Sequence, residues 1–412
     1  MGRADQSGGA SRAGTGAAGH AAQGTPAHRP AARDIDWARI RQRFPVFERR
    51  NYLNSCSYGA LSLEVARAGQ RYFDERLHKG VDWPDWVEHN EALRGSLARL
   101  LRVHPDEIAL TTSASAGLNS LASALRFDGP RNKIVITDLE FPTNAQIWYA
   151  QEMRGARVVR LPAPEGIVRP EQFEQAIDDE TLLVATSHVC YRNGSRVDVA
   201  RLAALTHGRG AHLLIDDFQS TGTTRLLPTE LGADFVVGGT FKYLLGTAGI
   251  AFLFVRQPLI EALTPTATGW FAQRDIFAMD VTGYRPSPTA RRFETGTPPV
   301  VNIYAALAGI ELLHEVGLEQ IEARNAQFTE AIKTEALAAG YRLATPTTAA
   351  QHGAMIAIRT HDEQRLVAEL LADDVVTSHR DGNVRISPHF YNDWSDIEQL
   401  FRALRARREL LV

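Results

Sequence analysis

Short apolar runs alternate with helical segments between residues 108 and 255, and this alternation restricts the possible folds more than any other feature of the chain. Each run has the length and composition of a buried strand. The runs cover residues 108–110, 133–137, 157–161, 181–186, 211–215, 233–237 and 250–255. Because strands that alternate with helices form doubly wound sheets, we predict an α/β domain built on a mostly parallel sheet.

The segments on either side of this alternation have a different character. The first 33 residues are rich in Gly, Ala and Ser and lack the apolar core of a signal peptide, so we predict a disordered tail. Helices are predicted at 63–80, 88–103, 301–316 and 318–339, with an aromatic turn over residues 82–86. We predict four parts: the tail (1–33), an N-terminal segment that packs on the small domain and the active-site mouth (34–62), a large domain (63–299) and a smaller α+β C-terminal domain (300–412).

The composition argues against several classes of function. The 412 residues carry a formal net charge of −3, so the composition does not indicate the positively charged surface that binds nucleic acid or anionic membranes. Only two cysteines occur, Cys56 and Cys190, so we expect small buried side chains there rather than a disulfide framework or a Cys-rich metal site. No apolar run reaches the length of a membrane span. We predict a soluble, cytoplasmic protein that binds neither nucleic acid nor membrane.

Polar and aromatic residues follow several of the predicted strands. In doubly wound sheets, ligands bind beyond the carboxyl ends of the strands. The residues at those ends are Ser115, Phe141, His188, Asp216, Gln219 and Lys242. The sequence therefore predicts that these groups share one crevice.

The chemistry of this predicted crevice suits pyridoxal phosphate (PLP). Burial of Lys242 would lower the pKa of its ammonium and make the amine a nucleophile toward an aldehyde. Asp216 closes its strand and can pair with a cationic ring nitrogen, whereas we expect its neighbour Asp217 to be solvated. Residues 111–119 put small hydroxyl side chains at a helix N-terminus, where backbone N–H groups bind phosphate. The alternatives are a solvated lysine in a turn and hydroxyl residues that only cap the helix.

Three motifs follow one another in the order found in a known family. They are Asp216-x-x-Gln219, Phe241-Lys242 in a Gly/Thr context, and FETGTP at 293–298. Over residues 48–405 the chain resembles the class V aminotransferases, PLP-dependent fold type I enzymes that include cysteine desulfurases, kynureninases and isopenicillin N epimerase-like proteins. Residues 141–144 (FPTN), 189–194 (VCYRNG) and 269–271 (GWF) are similar to kynureninase motifs.

The resemblance implies a role in cofactor binding for several residues. Lys242 would form the Schiff base and later move the Cα proton, and Asp216 would pair with the pyridine nitrogen. Gln219 would hydrogen-bond the phenolic oxygen, and Phe141 would stack on the ring. The phosphate would be held by Ala114, Ser115 and Thr240.

The resemblance also implies a substrate site and a partner subunit. Trp270 and Thr297 would reach the phosphate of a neighbouring subunit, which implies a homodimer with shared active sites. Arg385 would grip the α-carboxylate of an amino-acid substrate. His188 is assigned to the substrate site from its position at the end of a strand. The structural alternatives are core or interface packing for Phe141, Trp270 and Phe293, a salt bridge for Arg385, and a satisfied structural histidine at 188.

Two departures from the relatives bear on the reaction. Residues 340–390 contain no cysteine, unlike the cysteine desulfurases, and Phe241 replaces the tyrosine that precedes the lysine in kynureninases. The step that the family shares is loss of the Cα proton of a bound amino acid to give a quinonoid. We predict a lyase that cleaves at Cβ, of the C–S or C–C type. The alternatives are an epimerase, an aminotransferase or, more remotely, a PLP-binding protein without catalysis.

Overall fold

The computed structural model describes residues 35–412. The tail predicted at residues 1–33 lies outside the described residues. The strands are β1 (Asn51–Tyr52), β2 (Ile108–Thr111), β3 (Lys133–Thr137), β4 (Arg157–Leu161), β5 (Thr181–Ser187), β6 (His212–Asp216), β7 (Phe235–Gly239), β8 (Ala251–Val255), β9 (Ile356–Arg359), β10 (Val375–Val376), β11 (Ser378–Arg380) and β12 (Asn383–Ile386).

Helices separate most of these strands. They are α1 (Trp37–Arg41), α2 (Leu63–Lys79), α3 (Trp83–Leu101), α4 (Ala114–Ala124), α5 (Pro142–Ala150), α6 (Pro170–Ala176), α7 (Val199–His207), α8 (Pro228–Leu231), α9 (Gln257–Ala262), α10 (Val300–Val316), α11 (Leu318–Ala338), α12 (Glu363–Ala372) and α13 (Trp394–Arg405). Short 3₁₀ turns at Trp270–Ala272 and Ala290–Phe293 interrupt the long connection between α9 and α10.

Seven strands form the central sheet in the order β2-β8-β7-β6-β5-β3-β4. All neighbouring pairs are parallel except those that involve β8, which runs antiparallel to both β2 and β7. Since β2 and β7 are both antiparallel to β8, β2 runs in the same direction as the parallel strands. The carboxyl ends of six strands therefore meet at one edge, and the mostly parallel fold type I sheet that the sequence predicted is confirmed.

The C-terminal part has a separate sheet and a separate core. Strands β11, β12 and β9 form an antiparallel sheet, and β1 pairs with β10 in parallel. The apolar side chains of this sheet pack with α11, α12 and α13, and Leu53 of the N-terminal segment joins them. The larger core lies between the seven-stranded sheet and helices such as α4 and α5. The boundary predicted between a large domain (63–299) and a C-terminal domain (300–412) stays a proposal, which the two separate cores support.

The predicted aromatic turn at residues 82–86 is wrong, because these residues begin α3. Asp82 caps the helix by accepting a hydrogen bond from the backbone of Asp85, and Pro84 occupies a first-turn position where its missing N–H has no cost. Trp83 and Trp86 then pack against each other with ring centroids 5.2 Å apart. The Asp-x-Pro start was thus a helix signal rather than a turn signal.

Among the described residues, no single helix has the length and apolar composition needed to cross a membrane, and α10 and α11 meet the criterion only as a pair bent by 82°.

Candidate active site

A cavity of about 210 Å³ opens at the edge where the parallel strands end. Its walls come from the loops that follow β2, β3, β5, β6 and β7, which are distant in sequence and adjacent in the sheet. The lining residues are Ser113, Ala114, Ser115, Leu118, Phe141, Thr143, Ser187, Val189, Tyr191, Asp216, Phe218, Gln219, Phe241 and Lys242. Six of the eleven residues assigned to the site from sequence are in this set: Ala114, Ser115, Phe141, Asp216, Gln219 and Lys242.

Lys242 lies three residues beyond β7, with its ammonium among aromatic rings. Its Nζ is 4.5 Å from the ring centroid of Phe218 and 5.9 Å from those of Phe141 and Phe241. This burial lowers the pKa of the Lys242 ammonium to about 8, although the charge of Asp216 opposes the shift. The close ring of Phe218 requires glycine at 239, because a Cβ there would lie 2.0 Å from its Cζ. The fold thus makes the lysine a weaker base than a solvated one.

The N-terminal segment closes over the turn that carries Lys242. The backbone N–H of Gly59 donates to the carbonyl of Phe241 at 2.9 Å. A Cβ at position 59 would lie 2.2 Å from the carbonyl oxygen of Lys242, so only glycine permits this approach. The Tyr58 hydroxyl accepts a hydrogen bond from the backbone of Ala248 at 2.9 Å. These contacts fix the turn from its outer side.

Asp216 ends β6 and is 7% exposed. Its Oδ1 accepts a hydrogen bond from the backbone N–H of Phe218 at 3.0 Å. Burial raises the pKa of Asp216 to about 6, and the negative charge of Asp217 contributes to the rise while Lys242 opposes it. A buried carboxylate without a full set of donors is poised to pair with a cation that enters the cavity.

The expectation that Asp217 is solvated is wrong. Asp217 is fully buried, and the hydroxyl groups of Ser220 and Thr221 donate to its two carboxylate oxygens. Nδ1 of His188 donates to Oδ1 of Asp217 at 2.8 Å. This contact is in keeping with the structural alternative for His188, which is not among the lining residues, and its assignment to substrate binding stays a prediction.

Two helix N-termini converge on one wall of the cavity. Ser113 caps α4, and Ala114 and Ser115 follow it in the first turn. The Ser115 hydroxyl donates to Thr143, in the first turn of α5, at 3.3 Å. Backbone N–H groups at two helix starts, with hydroxyl groups between them, form a suitable seat for a phosphate.

Thr240 is not part of this seat. It is fully buried, and its hydroxyl lies 3.1 Å from the carbonyl oxygens of Thr247 and Ile250. This hydroxyl holds the turn after β7 together and does not reach the cavity. The phosphate role expected for Thr240 therefore finds no support in its contacts.

Gln219 presents an unpartnered polar atom at the cavity. Its Nε2 donates to the backbone carbonyl of Cys56 at 3.1 Å, while its buried Oε1 has no hydrogen-bond partner. An orphaned buried acceptor is costly unless a ligand satisfies it. Together with the aromatic face of Phe141, the amine of Lys242 and the carboxylate of Asp216, this fits a planar aromatic ring that carries an aldehyde, a hydroxyl and a basic nitrogen.

Arg385 lies behind the cavity wall. It is 3% exposed, and its two terminal nitrogens donate to the carbonyl of Tyr191 and to the hydroxyl groups of Ser57 and Ser378. Its buried Nε has no partner. No carboxylate pairs with it in the described residues, so the salt-bridge alternative is wrong, and carboxylate binding stays a prediction.

Trp270 and Thr297 do not line the cavity of their own chain. Trp270 is half-buried, with its ring centroid 5.5 Å from that of Trp83, and Thr297 is exposed. Their predicted contact with the phosphate of a neighbouring subunit stays a prediction. The adjoining Phe293-Glu294 pair is structural: Phe293 is in the core, and Glu294 accepts from Arg94 at 2.6 Å.

The lining also contains residues that sequence reasoning did not assign to the site. Ser187 ends β5 and pairs in register with Asp216, and Tyr191 packs edge-on against Phe141 with centroids 5.1 Å apart. Phe218 supplies the ring nearest the Lys242 amine. Ser187 could have been found from its position at a strand end. The ring contacts could not, because they depend on how separate loops pack.

Comparison with known proteins gives the family. Residues 85–400 match the family model Aminotransferase class-V. An uncharacterized aminotransferase, YcbU, from Bacillus subtilis (strain 168) is 35% identical over 367 residues, which cover 89% of this chain and 97% of that protein. A kynureninase from Pseudomonas fluorescens is 27% identical over 363 residues, which cover 84% of this chain and 86% of that protein.

Solved structures show the same fold. A cysteine desulfurase from Thermococcus onnurineus NA1 superposes with a TM-score of 0.81 at 21% identity, covering 90% of this chain and 97% of that one. The chain is an enzyme whose cofactor is PLP, as in the rest of this group. It belongs to the class V aminotransferase family.

Proposed function

We propose that this enzyme removes the Cα proton of an amino acid and then releases a group from Cβ, as a C–S or C–C β-lyase. The observation that carries the proposal is that Lys242 and Asp216 line the same cavity, whose other lining residues are uncharged. Relatives that are kynureninases, which cleave a C–C bond, support the lyase assignment.

The base in this proposal is the Lys242 amine. With a pKa lowered to about 8, roughly a quarter of the amines are neutral at pH 7.5, compared with about a thousandth for a solvated lysine. The rings of Phe218 and Phe241 exclude water from the amine, which keeps this basicity low. Lys242 can therefore accept a proton from Cα and return it to another atom near neutral pH.

Asp216 is proposed as the partner of the ring nitrogen. When bound, PLP supplies an electron sink for the bonds that break at Cα and Cβ, provided that this nitrogen is cationic. The carboxylate of Asp216 is buried and has a single backbone donor, so it gains an interaction when a cation approaches. Phe141, which is 44% exposed without a ligand, would cover the face of the ring.

The uncharged lining favours release from Cβ over amino-group exchange. Exchange with a dicarboxylate such as glutamate requires a second cation for the side-chain carboxylate. Among the described residues, Lys242 is the only cation that lines the cavity. Val189 and Tyr191 also line the cavity, and their uncharged side chains suit a neutral leaving group.

Aminotransfer is the second candidate, because the 35% identical relative carries the name aminotransferase. Epimerisation would need only the proton transfer at Cα. We also propose a cytoplasmic homodimer, in which the half-buried Trp270 and the exposed Thr297 face the partner.

A product assay separates these reactions. The holoenzyme is incubated with S-phenyl-L-cysteine, L-kynurenine, L-glutamate with pyruvate, and L-alanine, in separate reactions. A C–S lyase gives thiophenol, pyruvate and ammonia, and a C–C lyase gives alanine. Formation of 2-oxoglutarate, or of D-alanine without other products, would replace the lyase proposal by aminotransfer or epimerisation.

Matched lysine variants control this assay. Lys242→Ala should abolish every product, because it removes the base. Lys79→Ala removes an exposed lysine at the end of α2 and should leave the product profile unchanged. Equal loss in both variants would mean that Lys242 has no special role.

A further inference from the structure

Glu140 is a buried carboxylate that lies one residue before Phe141 but does not line the cavity. It is 3% exposed and receives three side-chain hydrogen bonds. The Thr137 hydroxyl donates to Oε1 at 2.7 Å, and Asn144 Nδ2 and the Ser187 hydroxyl donate to Oε2 at 2.7 and 3.0 Å. These donors come from the end of β3, the first turn of α5 and the end of β5.

The orientation of the Asn144 amide is fixed by a second contact. Trp148, one turn further along α5, donates its indole N–H to Asn144 Oδ1 at 2.7 Å. Because an indole nitrogen can only donate, Oδ1 must face Trp148 and Nδ2 must face Glu140. Asn144 and Trp148 are both fully buried, so no water replaces either contact.

This network ties the start of α5 to the sheet without capping the helix. Phe141 is the N-cap residue of α5 and makes no side-chain capping bond, and Pro142 supplies no N–H. The contact between Glu140 and Asn144 bridges the first turn instead. Phe141 and Thr143, both of which line the cavity, lie between these two residues in the sequence.

We propose that Glu140 is a positioning residue, which fixes Phe141 and Thr143 for the ring and phosphate of the cofactor and aligns Ser187 beside Asp216. The carboxylate is needed because all three surrounding groups act as donors toward it. An amide at position 140 has only one oxygen, so if that oxygen accepts from Asn144 Nδ2, whose orientation is fixed, its N–H group faces the Thr137 hydroxyl in place of an acceptor. The inference concerns cofactor binding, rests on the part of the proposed function that stacks the ring on Phe141, and holds whichever reaction follows.

An acid–amide exchange tests this geometry. In Glu140→Gln, one acceptor oxygen becomes an N–H donor, so either Asn144 or Thr137 loses its acceptor. In the double variant Glu140→Gln/Asn144→Asp, the new amide at 140 donates to the new carboxylate at 144, which still accepts from Trp148. The pair is again complementary, and one negative charge is retained.

The readouts are PLP affinity of the cofactor-free protein, by absorbance titration, and the circular dichroism of the bound cofactor, which reports ring orientation. Glu140→Gln should lower the affinity roughly tenfold or more, as expected for one buried charged hydrogen bond lost, and should diminish the dichroic band. The double variant should recover the affinity to within about threefold and restore the band.

Glu107→Gln is the control for a general loss of stability. Glu107 is also buried, and it accepts backbone hydrogen bonds from His104 and Gln257 away from the cavity. The Glu107→Gln variant should have a lower thermal stability and an unchanged PLP affinity.

An unchanged PLP affinity in Glu140→Gln would overturn the inference. So would a double variant that melts like the parent protein yet binds PLP as poorly as Glu140→Gln. Both readouts are measured without a substrate, so a failure of this inference can be distinguished from a failure of the lyase proposal.

Discussion

Replacing Asp216 by Asn should stabilise the cofactor-free protein at neutral pH while it abolishes the proposed catalysis. Burial raises the pKa of Asp216 from 3.8 to about 6. Each pKa unit corresponds to about 1.4 kcal/mol, so ionised Asp216 lowers the stability by about 3 kcal/mol well above pH 6. The amide is nearly isosteric, and its oxygen can still accept from the Phe218 N–H. We expect a gain of about 2 kcal/mol, because the amide must also be buried.

The pH dependence gives the sharper test. Between pH 3.8 and about 6, the folded protein holds the Asp216 proton more tightly than the unfolded chain does. The contribution of Asp216 to stability is therefore fully present below pH 3.8 and is lost as the pH rises through about 6. Asp216→Asn has no such proton. The difference between variant and parent should be close to zero near pH 4 and should reach its full value above pH 7.

The assay is urea unfolding of the two cofactor-free proteins at pH 4, 5, 6 and 7.5. Asp217→Asn is the matched control with the opposite expected sign, because Asp217 receives hydrogen bonds from Ser220, Thr221 and His188 that an amide cannot all accept. It should lose about 1–3 kcal/mol. A destabilised Asp216→Asn, or a difference that does not vary with pH, would refute the claim that Asp216 is held in an unfavourable site.

Three further predictions concern Lys242, Arg385 and Asp234. Borohydride reduction of the holoenzyme should fix the cofactor on Lys242, as a mass increase on the peptide that contains it; a label elsewhere would contradict the proposed Schiff base. Arg385→Ala should raise the KM for the amino acid tenfold or more while the holoenzyme stays yellow, and Arg385→Lys should recover only part of the loss because it lacks the bidentate fork; loss of colour would show that Arg385 holds the cofactor region instead. Asp234 is buried, which by itself would raise its pKa, but donors including His212, His207 and Leu213 hold that pKa below the ordinary value. The ionised side chain should therefore stabilise the fold above pH 3.8, and this contribution should be lost as the pH falls through the pKa of the folded state. Urea unfolding of Asp234→Asn at pH 7 and pH 3 checks the sign, which would be wrong if the loss of stability were larger at pH 3.

Local sequence was sufficient for the strands of the central sheet and for two of the long helices. The apolar runs correspond to strands of the central sheet, and the long helices α10 and α11 begin and end within one residue of the predicted positions. Hydrophobic periodicity carries this information because each element must bury one face whatever its neighbours are. Since a parallel sheet brings the carboxyl ends of its strands to one edge, Lys242 and Asp216 could be assigned to one crevice before their contacts were known.

Contacts between distant segments decide what each side chain at that edge can do. Asp216 and Asp217 are adjacent and chemically identical, yet one faces the cavity and the other is saturated by His188, Ser220 and Thr221. Thr240 looked like a phosphate ligand until its hydroxyl was found on two carbonyl groups of its own turn. A burial cost or a hydrogen-bond partner is a property of the assembled environment, so spacing along the chain can nominate a residue but cannot give its charge state or the direction in which it points.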